Sequence, residues 1–356
     1  MPALNLRPAK VISIIEERPG LQLLSLRVGE QECRAVNYLM LGAKASPGDE
    51  VVVNTTAVDI GLGSGGVHFV LPFTGKRTYG WGHQVKLRYT PLQVQVDCVE
   101  EQNSPWHDKF QCSDGLEQTP VLVAELHSML PPLVLAIRQE DPGARIVFVS
   151  MDGGALPVAF STNLAWLRKQ HLVQGTISCG HCYGGDLEAI NIFTGLQAAK
   201  LVLNADYIIV SIGPGIAGTG TVYGFSGLEQ GFSLQAVQAL GGQAIFVPRI
   251  SFADSRSRHH GISHHSLTVL RKAYSGSAVI PLPLLRQPQR RVLASAIRKL
   301  PQRYRFIWRQ RQMRVLAARY PKLFRTMGRG YEQDPAFFDS LGAAAKAAVE
   351  LNRSKR

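Results

Sequence analysis

The feature that most constrains the fold is a regular alternation of short apolar runs with segments of helical pattern in the residues that follow 118. From residue 145 onward the apolar runs are RIVFVS, LVQGTIS, YIIVSIG, AIFVPRISF and SAVIPLP. Such strands are typical of parallel sheets covered on both faces, and the helices between them indicate right-handed βαβ units. Residues 119–285 are therefore predicted to form a doubly wound, mostly parallel sheet with helices on both faces.

The residues before this sheet have a different pattern. Residues 1–75 contain the runs KVISIIEE, LQLLSLRV, ECRAVNYL and EVVVNTTAV, which are separated by short turn sequences such as Pro-Gly. Short β-rich runs at this spacing indicate a small β-barrel or sandwich. Residues 76–118 are predicted to form one further strand, GHQVKLRYTPLQVQV, followed by a polar linker.

Helices are predicted on either side of the sheet strands. The segment that opens the α/β domain, PVLVAELHSMLPPLVLAIRQ, has a helical pattern, and residues 286–331 contain two basic amphipathic stretches, QRRVLASAIRKL and RYRFIWRQRQMRVLAARY. Residues 332–356 are predicted to form a last docking helix, with Asp334 as its cap and Pro335 in its first turn. The predicted fold is thus an α/β protein with an N-terminal small β-barrel or sandwich domain and basic C-terminal helices.

Composition excludes several classes of protein. No apolar run reaches the roughly 18 to 20 residues that cross a bilayer, so no transmembrane segment is expected. The N-terminal residues lack the pattern of a signal peptide. Five cysteines in 356 residues are too few for a disulfide framework. We therefore expect a soluble protein of the reducing cytoplasm, and homo-oligomerisation stays open.

The net charge of +13 comes from one segment of the chain. Residues 1–254 hold 17 Lys and Arg against 22 Asp and Glu, whereas residues 255–331 hold 18 Lys and Arg and no acid. A basic segment with aromatic residues in it can follow a phosphate backbone, so residues 286–329 are a candidate surface for nucleic acid. A solvated helix face, or attraction to an anionic membrane or acidic partner, accounts for the same pattern.

Unusual polar residues follow several of the predicted strands. Ligands of open parallel sheets bind beyond the carboxyl ends of the strands, where these loops meet. We therefore expect one site at this edge, with catalytic or metal-binding candidates at Asp152, His181, Asp186, Asp254, His264 and His265.

The loop GPGIAGTGT follows the predicted strand YIIVSIG and is expected to lead directly into a helix. Glycines in this position let the backbone approach a ligand, and the amides at a helix start favour an anion such as phosphate. The predicted ligand-binding residues of this loop are Gly213, Gly215, Gly218, Thr219, Gly220 and Thr221. Its G-x-G-x-x-G spacing also fits a nicotinamide dinucleotide, and a tight turn without a ligand is a further alternative.

The segment RHHGISHHS contains four of the ten histidines of the chain. Ser263 is predicted to cap a helix that begins at His264, and the helix dipole there favours neutral imidazoles, which can bind a metal or accept a proton. A divalent metal site is predicted at His259, His260, His264 and His265. Arg256 and Arg258 are expected to clamp an anionic substrate.

Cys179 and Cys182 form the pattern Cys-Gly-His-Cys of many thiol-disulfide oxidoreductases. A redox pair needs its first cysteine exposed at a helix start, but YGGD separates Cys182 from the predicted helix. The two thiols could instead bind zinc, although no second Cys-x-x-Cys completes such a site. Both uses stay open, but His181 and the Gly-Gly-Asp that ends at Asp186 are the stronger candidates for function.

Five stretches of the chain, taken in order, resemble the bacterial family known as domain of unknown function 3866 (DUF3866): GHQVKLRYTPLQ, GHCYGGDLEAIN, GPGIAGTGT, RISFADSRSRHHGISHHSLTVL and MGRGYEQDPAFF. The resemblance covers nearly the whole chain and implies the family's fold, but it transfers no reaction. It also implies that His181 and the Gly-Gly-Asp are shared family features. By the same comparison the two cysteines and the basic insert around 286–325 are particular to this chain.

These observations favour an enzyme that acts on an anionic small molecule, phosphorylated in the preferred interpretation. Hydrolysis or group transfer, with or without a metal, fits the residue types better than hydride transfer does. A nucleic-acid-binding protein that uses the β domain and the basic helices is the main alternative. A non-catalytic metabolite-binding protein that uses the same pocket is the third.

Overall fold

A computed structural model describes residues 4–61, 65–73, 80–112, 115–151, 157–213 and 215–354. The chain divides into two compact units. The first is formed by Met1–Trp81 and Val85–Val96, and the second by Gly82–Gln84 and Asp97–Arg356. The first unit therefore continues past the predicted boundary at residue 75.

The first unit contains a closed five-stranded barrel, as one of the two predicted alternatives. Its strands are β1 (Leu6–Arg18), β2 (Leu21–Val28), β3 (Gln31–Tyr38), β4 (Glu50–Asn54) and β5 (His68–Val70), with a short helix α1 (Thr56–Asp59) before the last. The order around the barrel is β1-β2-β3-β5-β4, and β4 pairs back with β1. Leu24, Ala35 and Val53 are fully buried in its interior.

The single strand predicted over residues 82–96 is wrong. Two short strands, β6 (Gln84–Lys86) and β7 (Val94–Val96), form a two-stranded sheet instead. Leu87 and Tyr89 have φ angles of 53° and 64°, in the left-handed region that an extended strand cannot include. The alternation of polar and apolar letters in this segment therefore does not reflect a continuous strand.

The second unit is built on an eight-stranded sheet in which every strand is parallel to its neighbours, which confirms the predicted architecture. The strands of this unit are β8 (Pro120–Ala124), β9 (Ile146–Ser150), β10 (Gly175–Cys179), β11 (Leu187–Ala189), β12 (Tyr207–Ser211), β13 (Gln243–Val247), β14 (Ile250–Ser251), β15 (Gly261–Ile262), β16 (Ala278–Pro283) and β17 (Tyr304–Arg309). The order in the sheet is β11-β10-β9-β12-β8-β13-β16-β17, while β14 and β15 pair separately as a small antiparallel ribbon.

Helices cover both faces of this sheet. The helices of the second unit are α2 (His107–Cys112), α3 (Leu130–Glu140), α4 (Thr162–Lys169), α5 (Ile192–Leu201), α6 (Gln230–Ala239), α7 (His264–Thr268), α8 (Gln287–Ile297), α9 (Arg314–Arg319) and α10 (Pro335–Arg353). One face packs against α5, α6 and α8, and the other packs against α3, α4, α9 and α10. None of the described helices is both long and apolar enough to cross a membrane.

The helix predicted from residue 120 is wrong in its first part, because that part is the strand β8. All five residues of β8 are buried, between β12 and β13. The helix α3 begins only at Leu130, with Pro131 and Pro132 in its first turn. This strand places Glu125, which immediately follows it, at the carboxyl edge near the middle of the sheet.

The second predicted basic helix is also wrong in its first part. Residues Tyr304–Arg309 form β17, an edge strand parallel to β16, and only Arg314–Arg319 are helical. The alternating aromatic residues Tyr304, Phe306 and Trp308 all pack against the core on one face of the sheet. Residues 286–331 therefore belong to the sheet and its covering helices rather than to a separate basic region.

The docking helix is confirmed as α10, which buries Phe337, Phe338 and Leu341 against the sheet. Asp334 precedes it but makes no side-chain cap hydrogen bond. Its carboxylate instead accepts a hydrogen bond of 2.6 Å from Ser251 Oγ, and Arg329 Nε lies 3.5 Å away. Asp334 therefore ties the start of α10 to the chain beyond β13.

The strand order reverses in the middle of this sheet. From β8 the chain crosses to β9 on one side, and after returning through β12 it continues to β13 on the other side of β8. The loops that leave the carboxyl ends of β12, β8 and β13 therefore diverge at neighbouring positions. Such a reversal leaves a crevice in which ligands of open α/β sheets bind.

One glycine fixes how closely α6 approaches the helical turn that follows α7. A β-carbon added to Gly231 would lie 2.7 Å from the backbone oxygen of Ala273, at the end of the π-helical turn Val269–Ala273. We expect Gly231→Ala to lower the free energy of unfolding by about 1–3 kcal/mol through overpacking. Urea unfolding measures this, with Gly143→Ala as the control because a β-carbon there meets no atom within 4 Å. Equal effects of the two substitutions would contradict the contact.

A buried histidine near the carboxyl end of β8 makes stability depend on pH. His127 is 8% exposed, its Nε2 lies 2.6 Å from Ser161 Oγ, and burial lowers its pKa from 6.5 to about 4. As pH falls, His127 is protonated in the unfolded chain before it is protonated in the folded chain. The contribution of neutral His127 to the free energy of unfolding is therefore complete above pH 6.5 and is lost as pH falls towards 4. Between about pH 7 and about pH 4.5 we expect the wild type to lose about 2–3 kcal/mol more than His127→Gln. Urea unfolding of both proteins at the two pH values measures this, and parallel losses would contradict it.

Candidate functional site

A cleft of about 370 Å³ lies in the second unit, at the carboxyl edge of the sheet. Its walls come from the loops that follow β8, β12 and β13, and from a turn near residue 326. We call it the histidine cleft, and its charged or titratable lining residues are Arg249, Arg256, Arg258, His259, His264, His265 and Arg325. No acidic side chain lines it among the residues that the structure describes.

Glu125 lies beneath the cleft, fully buried, and joins β8 to α7. Ser266 Oγ donates a hydrogen bond of 2.8 Å to one carboxylate oxygen, and His265 Nδ1 lies 3.2 Å from the other. Arg249 Nη1 is 3.9 Å from the same carboxylate. Burial by itself raises the pKa of Glu125, but the hydrogen bond from His265 and the charge of Arg249 outweigh burial and hold the pKa below its ordinary value. Glu125 is therefore ionised and fixes the orientation of His265.

Asp254 is a second buried carboxylate, and it holds three arginines together. Arg249 Nη2 is 2.8 Å from Asp254 Oδ2, and Arg256 donates to both carboxylate oxygens at 2.9 Å. Arg329 Nη2 lies 3.7 Å away. The hydrogen bond from Arg256 keeps the pKa of Asp254 well below its usual range. The predicted catalytic role is not supported by this placement, since Asp254 does not line the cleft and instead positions the arginines that do.

The rings of His259, His264 and His265 converge in the cleft, with centroids 4.2 to 5.1 Å apart. His259 is 1% exposed and its Nδ1 lies 2.8 Å from Ser263 Oγ. Ser263 caps α7, as predicted, by accepting the backbone amide of His265. Burial, together with the charges of Arg249 and Arg256, lowers the pKa of His259 to about 4, and burial also lowers the pKa of His264. Both rings are therefore neutral at pH 7.

His260 does not belong to this cluster. Its side chain is exposed and stacks edge-on against Phe252, with ring centroids 5.0 Å apart. The short helical turn Ser257–His259 and the strand β15 place His259 and His260 on different sides of the segment. The predicted set of four clustered histidines is thus reduced to three.

The glycine loop closes on itself instead of leading directly into a helix. Thr219 N donates a hydrogen bond of 2.7 Å to Gly224 O, Gly224 N donates to Thr221 Oγ1, and Gly218 pairs with Phe225. The next α-helix begins only at Gln230. The predicted helix start directly after the loop is therefore wrong, although Gly215, Gly218, Gly220 and Thr221 do line the cleft. Gly213 and Thr219 are not among the lining residues.

Phe225 attaches this hairpin to the cleft. Its ring stacks on the ring of His265, with centroids 4.3 Å apart and planes inclined by 9°. The hairpin that precedes it is exposed, including Val222 and Tyr223 at its tip. The stack is therefore the contact that holds the hairpin against the histidines.

The wall opposite the hairpin was not predicted from the sequence. It consists of Arg325, Thr326, Met327 and Gly328, in a turn closed by hydrogen bonds between Thr326 and Arg329. Ser128, which follows β8, lies within 3.1 Å of Thr326 through the two hydroxyls. Met327 and Gly328 both have positive φ, at 49° and 79°. The Met-Gly-Arg-Gly letters are a turn signal that points to such a wall.

The structure does not bring Asp186 or His181 to the cleft. Asp186 pairs with Arg168 and accepts hydrogen bonds of 2.9 Å from the backbone and hydroxyl of Thr176, at the amino half of β10. Its placement follows from β11, because a strand parallel to β10 must begin at the amino edge. His181 follows β10, which β9 and β12 separate from β8, a distance of about 14 Å at the usual strand spacing. Asp152 lies outside the described residues.

The two cysteines of Cys-Gly-His-Cys are buried and are not joined by a disulfide. Cys182 Sγ donates to the backbone oxygen of Met151 at 2.6 Å. Cys179 packs against Gly195 of α5. Burial of both thiols weighs against redox use, which needs an accessible sulfur.

Several arginines of the acid-free segment have partners from other parts of the chain. Ion pairs join Arg309 to Glu350, Arg311 to Glu140 and Arg314 to Glu332. Arg303 donates to the backbone oxygens of Leu270 and Tyr274. Part of the positive charge of this segment is therefore balanced within the fold.

Comparison with known proteins gives a family and no activity. A family model described as "Protein of unknown function (DUF3866)" matches residues 34–345. No curated protein matches, and no solved structure matches.

Removing the Phe225 ring is expected to loosen the glycine hairpin. We expect Phe225→Ala to raise the hydrogen-exchange rates of the amides between residues 217 and 226 at least tenfold. The substitution removes a stacked aromatic contact of about 1 kcal/mol and also the burial of a ring that is 7% exposed. Hydrogen exchange followed by mass spectrometry measures this. Phe232→Ala is the control, since Phe232 is 56% exposed on α6. Unchanged exchange in Phe225→Ala would show that the stack does not hold the hairpin.

Proposed function

We propose that this chain, which belongs to the DUF3866 family, is an enzyme that hydrolyses or transfers a phosphoryl group of a small molecule in the histidine cleft. The observation that carries the proposal is the composition of the cleft wall. Four arginines and three histidines line it, and no acidic side chain does so among the described residues.

The arginines supply the charge that a phosphate needs. At an effective dielectric constant near 20, one unit charge about 4 Å from another contributes about 4 kcal/mol, so several guanidinium groups favour a dianion strongly. Guanidinium groups also match phosphate oxygens in geometry. Arg249 and Arg256 are held in place by Asp254, while Arg258 and Arg325 are exposed and free of ion pairs in the described part of the chain. Arg249 and Arg256 can hold a phosphate in a fixed position, and Arg258 and Arg325 can move to contact it.

The histidines supply the proton transfers. A water molecule or acceptor hydroxyl attacks the phosphorus while a neutral imidazole takes its proton, and the bond from phosphorus to the leaving oxygen breaks. The leaving oxygen then receives a proton from an imidazole that has become protonated. His259 and His264 are suited to the first role because both are neutral at pH 7.

The size and position of the cleft support a small substrate. A volume of about 370 Å³ is at the lower end of ligand pockets, which are typically about 300–1,000 Å³. Hydride transfer from a nicotinamide dinucleotide is less well supported, because the glycine loop is closed by its own threonines and does not start a helix. The crevice at the reversal of strand order remains a favourable location.

Binding and turnover of phosphate compounds test the proposal. We expect inorganic phosphate and pyrophosphate to bind the full-length protein in calorimetry, and a panel of phosphomonoesters to include one that releases phosphate. Replacing both exposed arginines, Arg258→Gln with Arg325→Gln, is expected to weaken binding at least tenfold. Arg305→Gln is the matched control, because Arg305 is an exposed arginine on β17 that does not line the cleft.

Three results would count against an enzyme of this kind. Absence of phosphate and pyrophosphate binding contradicts the anion site. A loss of binding free energy in the double variant no larger than twice the loss in Arg305→Gln assigns the binding to general charge. Binding without turnover of any phosphomonoester favours the non-catalytic metabolite-binding alternative.

The nucleic-acid alternative rests on the small β-barrel and on the basic segment 286–329. A gel-shift titration with single- and double-stranded DNA and RNA at two salt concentrations tests it, since phosphate-backbone binding weakens steeply with salt. The arginines already paired with Glu350, Glu140 and Glu332 weaken the alternative.

A further inference from the structure

We propose that His259, His264 and His265 together hold one divalent metal ion of the zinc class, and that Glu125 orients the site from behind. The assignment deepens the proposed function, on which its catalytic purpose rests. With an ion bound, the three imidazoles are ligands rather than proton acceptors, and the proton to be removed is that of a water molecule at the open fourth position. Binding of the ion itself can be tested separately.

The three rings already have the spacing of a metal site. For a tetrahedral ion with bonds of about 2.1 Å to imidazole nitrogens, two ligand rings have centroids about 5.2 Å apart, and for an octahedral ion about 4.5 Å. The observed centroid distances are 4.9 Å, 5.1 Å and 4.2 Å. One ion can therefore lie between the rings without displacement of their centres by more than about an ångström.

The ring nitrogens also have to rearrange. One ring nitrogen from each histidine lies within 4.8 Å of the other two. In a tetrahedral site the ligand nitrogens are about 3.4 Å apart, so the rings have to turn inward. Arg258 Nε now lies 3.5 Å from His259 Nε2 and has to leave it. Arg258 is exposed and has no ion pair within the described residues, so this displacement breaks only a weak contact.

The hydrogen bonds behind the rings favour the same arrangement. Metal-bound histidines usually donate their second ring nitrogen to a carboxylate, a carbonyl or a similar acceptor, which fixes the ring orientation. His265 uses Nδ1 towards Glu125, and His259 uses Nδ1 towards Ser263. In both rings Nε2 is therefore the nitrogen that can bind a metal ion in the cleft.

His264 supplies the third nitrogen. Its Nε2 is buried and has no hydrogen-bond partner among the residues described. A buried polar atom without a partner is costly, and a metal ion at the centre of the three rings would satisfy it.

The ligand set selects the class of metal. Three imidazoles suit zinc, cobalt, nickel or copper, whereas magnesium and calcium require oxygen ligands, which this cluster does not offer. Three protein ligands leave a fourth position open for a water molecule or a phosphate oxygen. The arginines of the wall repel a bare cation but attract an anion. Metal and phosphate are therefore expected to bind cooperatively, each raising the affinity for the other.

The test measures metal binding directly on full-length protein without a polyhistidine tag. After incubation with zinc or cobalt and gel filtration, elemental analysis is expected to give close to one ion per chain for the wild type. The cobalt form is expected to have visible absorption bands of a low-symmetry site. His264→Ala is expected to reduce the ion content to background, while His260→Ala, which changes a neighbouring histidine outside the cluster, retains one ion.

Two further measurements address Glu125 and the coupling. Glu125→Gln is expected to weaken zinc binding about 10–100-fold while leaving His265 in place. Pyrophosphate is expected to tighten zinc binding at least threefold in the wild type. If Glu125→Gln does not fold, His265→Asn replaces it and is expected to lose the ion.

The outcomes separate this inference from the proposed function. A wild type that holds no ion, or equal loss in His264→Ala and His260→Ala, overturns the metal site. Metal-free protein that still hydrolyses a phosphomonoester leaves the proposed function intact without the metal. A protein that binds zinc but neither phosphate nor pyrophosphate retains the metal site and loses the proposed substrate class.

Discussion

The interaction on which the site depends is the burial of Glu125 and Asp254 beneath a wall of cations. Several arginines can share one small cleft only if negative charges lie behind them. Removing one partner of a buried ion pair leaves an uncompensated charge, which typically costs about 3–5 kcal/mol. The two carboxylates are therefore the framework that allows the cationic wall to exist. Glu125 also connects the sheet to the site, since it follows β8, whereas Asp254 follows β14 of the small ribbon.

Periodicity predicts the architecture well where tertiary context agrees with it. The barrel, the parallel sheet and the last helix follow from runs of apolar residues whose spacing is set by the backbone. The misassigned segments contain similar apolar runs, but tertiary packing selects a different secondary structure for them. PVLVA is as compatible with a buried helix as with a buried strand, and only its position between β12 and β13 decides for the strand. That error concealed Glu125, which the sequence places in an apparently helical stretch.

The sequence predicted the grouping of site residues correctly within one loop more often than between different loops. The histidines of RHHGISHH are close in the chain, so local turns bring three of them together, and only the direction of His260 was missed. The grouping of Asp186 with them was wrong because the short connection from β10 to a parallel β11 has to return to the opposite edge. No single residue type indicates that the chain returns to the amino edge of the sheet at this point. The turn at Arg325–Gly328 has no strong chemical signature either, and its part in the cleft comes from tertiary packing alone.

The hydroxyl contact between Ser128 and Thr326 spans 198 positions of chain. During synthesis on the ribosome, the floor of the pocket emerges long before its far wall. At typical rates of about 5–20 residues per second, roughly 10–40 seconds separate the two. His259, His264 and His265 are synthesised in about the last third of that interval, so they too precede the far wall of the cleft. The cleft is therefore enclosed on this side only after the late turn has docked.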